Sequence, residues 1–190
     1  GDVYKRQALQ FMGGARRQIF VVFAAFLMVE KFEFSVGAIS LLLLANAAIN
    51  VTLAPKIGRL IHKFGERRSL IFEYVGLAFI FVGYAVVESS SFAVFLYIAD
   101  HIFFSIAIAL KTYFQKIADP ADIASSAGVS FSINHIAAVF IPVIFGLIWL
   151  YSPSLVFLAG AGMAVLSLFL ALNMPAKPAA GNEVLLGKFT

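Results

Sequence analysis

The residues best suited to chemistry are Asp100 and His101, which stand side by side in the strongly apolar run 92–111. Tyr97, His101 and Ser105 recur every four residues and would share one face of a helix. A carboxyl and an imidazole held in an apolar helix can bind, release and relay a proton. The alternative is a static Asp-His or Asp-Arg pair that orients neighbouring helices.

Arg16 and Arg17 form a second candidate group, just before the apolar run 19–29. Along a helix, Arg17 would lie roughly 20 Å from the acidic break at Glu30, which places the pair inside the apolar layer. Either residue could bind an anionic group or pair with Asp100; the alternative is that both end a half-span at the surface. Adjacent residues point about 100° apart on a helix, so we expect only one of them to face a cavity.

Hydroxyl and amide side chains mark two further helix faces. Ser130 and Asn134 are one turn apart with His135 beside them, and Asn46 and Asn50 are likewise one turn apart. Such side chains can contact a polar substrate or form hydrogen bonds between helices. Both interpretations remain open from the sequence.

The amino-acid composition contains more apolar residues than the core of a soluble domain can bury. Of the 190 residues, 62% are hydrophobic and 13% are charged, against about 45–50% and 25% in soluble domains. This excludes an ordinary soluble protein. The net charge of +4 comes from basic residues that flank apolar runs, so no nucleic-acid partner is expected. The chain has no Cys and no metal-binding, nucleotide-binding or hydrolase motif, so we expect no metal, no cofactor and no enzymatic activity.

Six apolar runs are each long enough to cross a bilayer as a helix. The predicted fold is therefore an all-α polytopic membrane domain over 8–175, followed by a cytoplasmic tail at 176–190. Residues 1–7 look like translated sequencing adapter, and the chain is expected to be a fragment whose natural start lies upstream. The predicted spans are 8–29, 36–55, 69–87, 92–111, 123–151 and 153–174.

Basic residues cluster at alternate breaks between these runs. Five lie in the break that follows the second run, and Lys111, Lys116 and Lys177 follow later runs, whereas the opposite side carries only Lys31. The positive-inside rule places the basic breaks and the C-terminus in the cytoplasm. We expect an integral protein of a bacterial inner membrane.

The second and fifth runs carry Gly, Asn, Pro and Gly in the same order. This weak echo suits a 3+3 inverted repeat in which the two runs occupy equivalent places. The matching residues are Gly37, Asn46, Pro55 and Gly58 in the second run, and Gly128, Asn134, Pro142 and Gly146 in the fifth.

The basic break after the second run holds two Gly residues seven positions apart, with basic residues around them. It resembles the signature loop of the major facilitator superfamily, with His62 where that family usually has Asp and with Glu66 after the second Gly. The residues that carry the resemblance are Gly58, His62, Lys63, Gly65, Arg67 and Arg68. We expect Glu73, one turn into the third run, to pair with Arg67 or Arg68.

The resemblance implies the C-terminal six-helix half of a twelve-helix transporter. The expected function is secondary transport of a small solute, coupled to H⁺, by alternating access with a missing N-terminal six-helix half of the same chain. The lipid bilayer is the other expected partner. The alternative to the family is any polytopic protein with basic cytoplasmic loops, and the alternative function is a membrane scaffold or accessory subunit that transports nothing.

Overall fold

The computed structural model describes residues 2–179, except the side chains of 2–6, 122 and 126. Residues 1 and 180–190 lie outside the described residues, so most of the predicted tail at 176–190 does too. Of the predicted adapter segment 1–7, residues 2–7 are part of the first helix. The described part of the chain is helical apart from short connections and contains no β-strand.

Six helices in residues 2–179 are long and apolar enough to cross a membrane, which confirms the prediction of an all-helical chain with six such segments. No membrane is part of the structure, so this statement rests on length and composition. The helices are α1 (Gln7–Glu30), α2 (Val36–Phe64), α3 (Glu66–Val86), α4 (Ser90–Ile117), α5 (Ile123–Tyr151) and α6 (Pro153–Leu172).

Two of the six helices depart from regular α-helical geometry. Helix α1 continues towards the N-terminus as far as Asp2, and a π-helical segment at Ile19–Ala24 separates its α-helical parts Asp2–Gln18 and Ala25–Glu30. In α4, a turn at residues 106 and 107 separates Ser90–Ser105 from Ile108–Ile117. Irregular helical turns of this kind are frequent at functional sites.

Capping residues explain where several helices begin. The Ser35 hydroxyl accepts a hydrogen bond from the Ala38 N–H at 3.1 Å at the start of α2. The Ser89 hydroxyl does the same for the Phe92 N–H at 3.5 Å at the start of α4. Both bonds satisfy an N–H group that has no partner within its helix.

The basic segment after residue 55 is helical, which differs from the predicted loop. Helix α2 continues through Pro55 to Phe64, and only Gly65 interrupts the chain before α3 begins at Glu66. Gly65 has φ +84°, a conformation that residues with a side chain rarely adopt. The connection between the second and third spans is therefore one residue long, because a single glycine reverses the chain direction.

The helix contacts connect the first three helices with the last three. The most extensive packing is between α3 and α6, followed by α1 with α5. Helix α4 packs on both α2 and α3, and α6 packs on both α1 and α5. Helices α2 and α5 are the least buried of the six.

At one end of the bundle, side chains near the ends of α1 and α5 are in contact. The Trp149 Nε1–H donates to Glu30 Oε2 at 2.8 Å, and the Phe23 ring stacks on Trp149 at 5.5 Å between centroids. At the same end, Lys31 forms an ion pair with Glu88 at 2.9 Å. The opposite end carries the basic α2–α3 connection and the cavity described next.

Candidate functional site

A cavity of about 760 Å³ lies between α1, α4 and α5. Its walls come from the first half of α1, the last part of α4 and the first half of α5. Those three segments lie at the end of the bundle that carries the basic connection. The volume falls in the range of about 300–1,000 Å³ that is typical of small-molecule sites.

Polar side chains from all three helices line this cavity. Gln10 of α1 donates through Nε2 to Asn134 Oδ1 of α5 at 2.9 Å, and this bond joins two of the walls. The His135 ring lies 3.9 Å from the Phe131 ring, and its Nδ1 is 2.9 Å from the Phe131 carbonyl oxygen. The polar residues of the lining are Gln10, Arg17, Gln18, Lys111, Gln115, Ser130, Asn134 and His135.

A second polar group, the buried charge cluster of Arg16, Glu73 and Asp100, lies inside the bundle. Arg16 is only 1% exposed. Its Nη1 donates to the Ser167 hydroxyl and, at 3.2 Å, to the Met163 carbonyl oxygen of α6. Its guanidinium also lies 4.9 Å from the centroid of the Tyr74 ring.

The carboxyl groups of Asp100 and Glu73 are both buried, and several of their oxygens have no hydrogen-bond partner among the described residues. Both Asp100 oxygens and one Glu73 oxygen lack a partner among the described residues. The positive charge of Arg16 acts on both carboxyls, although no direct ion pair forms in the described part of the chain. Asp100 in turn acts electrostatically on the buried phenols of Tyr84 and Tyr97.

The structure assigns the two adjacent arginines to different places. Arg16 faces the core, whereas Arg17 is exposed and lines the cavity. This agrees with the expectation that only one of them faces a cavity. The alternative of a direct pair between an arginine and Asp100 is not seen among the described residues, where the Arg16 guanidinium is bound to α6.

Four other predicted residues lie on α2 and α4, away from the cavity lining. Tyr97 is buried against Phe20, with ring centroids 4.9 Å apart, and His101 lies 6.2 Å from the same ring. The Asn50 side-chain oxygen accepts from the Ser105 hydroxyl at 3.2 Å. Asn46 is buried, and its amide atoms have no partner among the described residues. Asn50 therefore serves the contact between α2 and α4.

The expected pairing of Glu73 with Arg67 or Arg68 is wrong. Arg67 Nη2 donates instead to the Leu172 carbonyl oxygen at the end of α6, at 3.0 Å, and Arg68 is exposed. Glu73 lies one turn or more further into the bundle and faces Arg16. Because α3 packs along α6, Glu73 lies on the buried face of α3, whereas Arg67 and Arg68 lie in the first turn of α3 at the end of the bundle.

The residues of the basic connection are mostly on the surface. Gly58, His62 and Lys63 are exposed in the last turns of α2. The neighbouring Glu66 is buried and forms an ion pair with Lys116 at 2.6 Å. This ion pair ties the α2–α3 connection to the end of α4.

Four cavity residues and three residues around Arg16 were missed from the sequence. Lys111 and Gln115 are one turn apart, a spacing that could have revealed a polar face on α4, but Lys111 was interpreted as the end of a span. The sequence predicts that Glu73 pairs with Arg67 or Arg68, and Ser167 has no distinguishing neighbour. The missed residues are Gln10, Gln18, Lys111 and Gln115 at the cavity, and Glu73, Tyr74 and Ser167 around Arg16.

The arrangement offers hydrogen bonding, positive charge and buried carboxyls, and no metal chemistry follows from it. In the described part of the chain, no three His, Asp or Glu side chains come together as metal ligands. The cavity can hold a small molecule, and the buried carboxyls can change charge by binding a proton.

Six helices in the described residues have the length and apolarity needed to cross a bilayer, which is typical of an all-helical membrane protein. No protein-family model matches the chain, and a search of the curated proteins finds no significant match.

Proposed function

We propose that this six-helix domain is one half of a secondary transporter that carries a small solute across a membrane. The cavity next to the buried charge cluster carries this proposal. Arg16 belongs to the cluster and Arg17 lines the cavity, so the two sites meet on one turn of α1. A change of charge in the cluster therefore acts on the helix that forms a cavity wall.

The helix contacts support a 3+3 repeat. A 3+3 repeat would make α1 equivalent to α4, α2 to α5 and α3 to α6. The α1–α5 contact then corresponds to the α4–α2 contact, and the α3–α6 contact corresponds to itself. The α1–α6 contact likewise corresponds to the α4–α3 contact. The least buried helices, α2 and α5, also correspond to each other. Such repeats are a common basis of alternating access.

The resemblance of the basic connection to the major facilitator signature extends the proposal to a twelve-helix protein. Its N-terminal six helices would come from the same longer chain and would close the solute path together with this half. The Glu66–Lys116 ion pair supports a role for the connection, because it joins two helix ends at the open end of the bundle. In a rocking motion, an ion pair at this place forms and breaks.

Coupling to H⁺ is proposed for Asp100, with Arg16 as its electrostatic partner. Protonation of Asp100 removes a negative charge that acts on Arg16. The π-helical segment Ile19–Ala24 begins directly after this part of α1 and offers a place where the helix can change shape. Proton binding and the shape of the cavity wall are linked in this way.

Transport by the full-length protein in proteoliposomes tests this function. A pH-sensitive dye inside the vesicles reports proton entry as a panel of anionic, neutral and cationic solutes is added. We expect one solute class to start proton entry, and Asp100→Asn to abolish the pH dependence of uptake. Glu33→Gln, a change of an exposed carboxyl, is the matched control and is expected to transport like the unmodified protein.

Uptake that survives Asp100→Asn with an unchanged pH dependence would exclude the coupling role of Asp100. The second candidate function is a membrane scaffold or accessory subunit, favoured by the burial of Asp100 and Glu73 away from the cavity lining. For a scaffold, no solute moves in the assay, and Asp100→Asn lowers assembly in the membrane.

A further inference from the structure

The charged side chains among the described lining residues of the cavity are both cations. Arg17 of α1 and Lys111 of α4 both line it. Among its described lining residues there is no Asp and no Glu. Two cations that line one cavity add up to a positive potential that attracts an anion.

Both cations remain without an ion-pair partner among the described side chains. Elsewhere in the described part of the chain, lysines do form ion pairs, as Lys31 does with Glu88 and Lys116 with Glu66. Arg16, one residue before Arg17, is bound to α6. No described side chain therefore competes with a ligand for an ion pair with Arg17 or Lys111.

The rest of the lining fits an apolar body with hydrogen-bonding groups. The Arg17 guanidinium lies 6.0 Å from the centroid of Phe104, so the cation stands beside an aromatic surface. Phe114 and Phe131 provide further aromatic surface, and Gln18 and Gln115 provide amide donors. Aromatic walls with a few polar groups are typical of sites for small organic molecules.

We propose that the cavity binds an organic anion with an apolar, aromatic-sized body. Arg17 and Lys111 bind the anionic group, and the phenylalanines contact the body. This inference rests on the proposed transport function in treating the cavity as the solute site. The anionic group belongs to a free solute or to an acidic lipid headgroup, and we assign it to a free solute because the α1, α4 and α5 walls enclose a volume of small-molecule size.

Direct binding measurements on the full-length protein test this assignment. Radiolabelled naphthoate is the probe, with its neutral amide and the cationic aminomethylnaphthalene as competitors of equal size. We expect naphthoate to bind at least about tenfold more tightly than either competitor, and Arg17→Gln and Lys111→Gln each to weaken it about 30-fold. Arg17→Lys is expected to recover part of the affinity, since it keeps the charge but not the planar fork.

Lys56→Gln is the matched control, because Lys56 is an exposed cation of α2 outside the cavity. An equal loss of binding in Lys56→Gln would overturn the assignment, since the effect would then come from general surface charge. Equal or tighter binding of the amide or the amine would overturn it as well. All variants are compared as monodisperse, folded protein, and Arg17→Lys guards against a loss that only reflects misfolding.

The lipid environment separates the two sources of anion. Binding is measured in nanodiscs of phosphatidylcholine and in nanodiscs that also contain phosphatidylglycerol. A free-solute site gives the same naphthoate affinity in both, whereas loss of binding with phosphatidylglycerol assigns the cavity to lipid and overturns the proposal.

Naphthoate binding without any solute movement in proteoliposomes would reject the transport function and retain the anion site. Movement of neutral or cationic solutes alone would retain transport and reject the anion site.

Discussion

Arg16 and Arg17 show how strongly the surroundings decide what a charged residue does. Arg16 is surrounded by α6 and by the Tyr74 ring, whereas Arg17 faces the cavity. A charge inside the apolar part of a membrane protein costs about 2.5–3.5 kcal/mol on insertion scales unless it is compensated. The Ser167 hydroxyl and the Met163 carbonyl oxygen bind the Arg16 guanidinium, while Arg17 lines the cavity and has no ion-pair partner among the described side chains.

The first prediction concerns the buried charge cluster. Arg16→Met removes the only cation that acts on both Glu73 and Asp100 in the described part of the chain. We expect it to lower the free energy of unfolding by about 3 kcal/mol, because the Ser167 hydroxyl and the Met163 carbonyl oxygen lose a charged donor and the two buried carboxyls lose the positive charge that acts on them. The measurement is unfolding in mixed micelles by titration with a denaturing detergent.

A triple variant gives the internal control for this effect. Adding Glu73→Gln and Asp100→Asn to Arg16→Met removes the uncompensated charges, and we expect it to restore most of the lost stability. An additive further loss in the triple variant would mean that the three side chains do not interact.

At the scale of the helices, small residues decide where α6 can approach its neighbours. A Cβ atom placed on Gly160 would lie 3.1 Å from the Phe81 ring of α3 and 3.3 Å from Ile19 of α1. The same atom placed on Gly162 would meet nothing within 4 Å. Two glycines two residues apart therefore have different roles, one in packing and one at the open surface.

The second prediction follows from this difference. Gly160→Leu is expected to lower the free energy of unfolding by about 2 kcal/mol, because α6 must move away from α1 and α3. Gly162→Leu is expected to change it by less than about 0.5 kcal/mol. The same micelle titration measures both, and equal effects would contradict the packing of α6 described here.

At the scale of the whole molecule, the two ends of the bundle differ. One end carries the Trp149–Glu30 hydrogen bond, which joins α1 and α5, and the Lys31–Glu88 ion pair. The cavity lies towards the other end, where the basic connection is also found. The positive-inside rule predicts that the basic end lies in the cytoplasm, and in that orientation the cavity would face the cytoplasmic side.

The third prediction tests this orientation by chemical labelling. The sequence contains no Cys, so a single introduced thiol can be labelled without background from these 190 residues. We expect a membrane-impermeant maleimide to react with Ser130→Cys, at the cavity, only from the cytoplasmic side. Ser91→Cys, exposed at the other end, should react only from outside. The reverse pattern would mean the opposite orientation.

Six membrane-length helices follow from the sequence alone, because a bilayer requires each crossing segment to be long, apolar and satisfied in its own backbone hydrogen bonds. The same local logic identified Arg17, Ser130, Asn134 and His135 as candidates, and all four line the cavity. Candidates of this kind stand out because polar side chains are conspicuous in apolar runs.

The tertiary structure alone decided how these helices face one another. Helix periodicity shows that Arg16 and Arg17 point apart, but only the packing of α1 against α5 and α6 shows which of them enters the core. From the sequence, Lys111 and Glu73 are interpreted by their positions near the ends of spans. In the structure Lys111 lines the cavity and Glu73 is buried, because the rotation of each helix differs from what its position alone suggests. The rotation and depth of a helix are set by its contacts with distant segments, which a local sequence pattern does not contain.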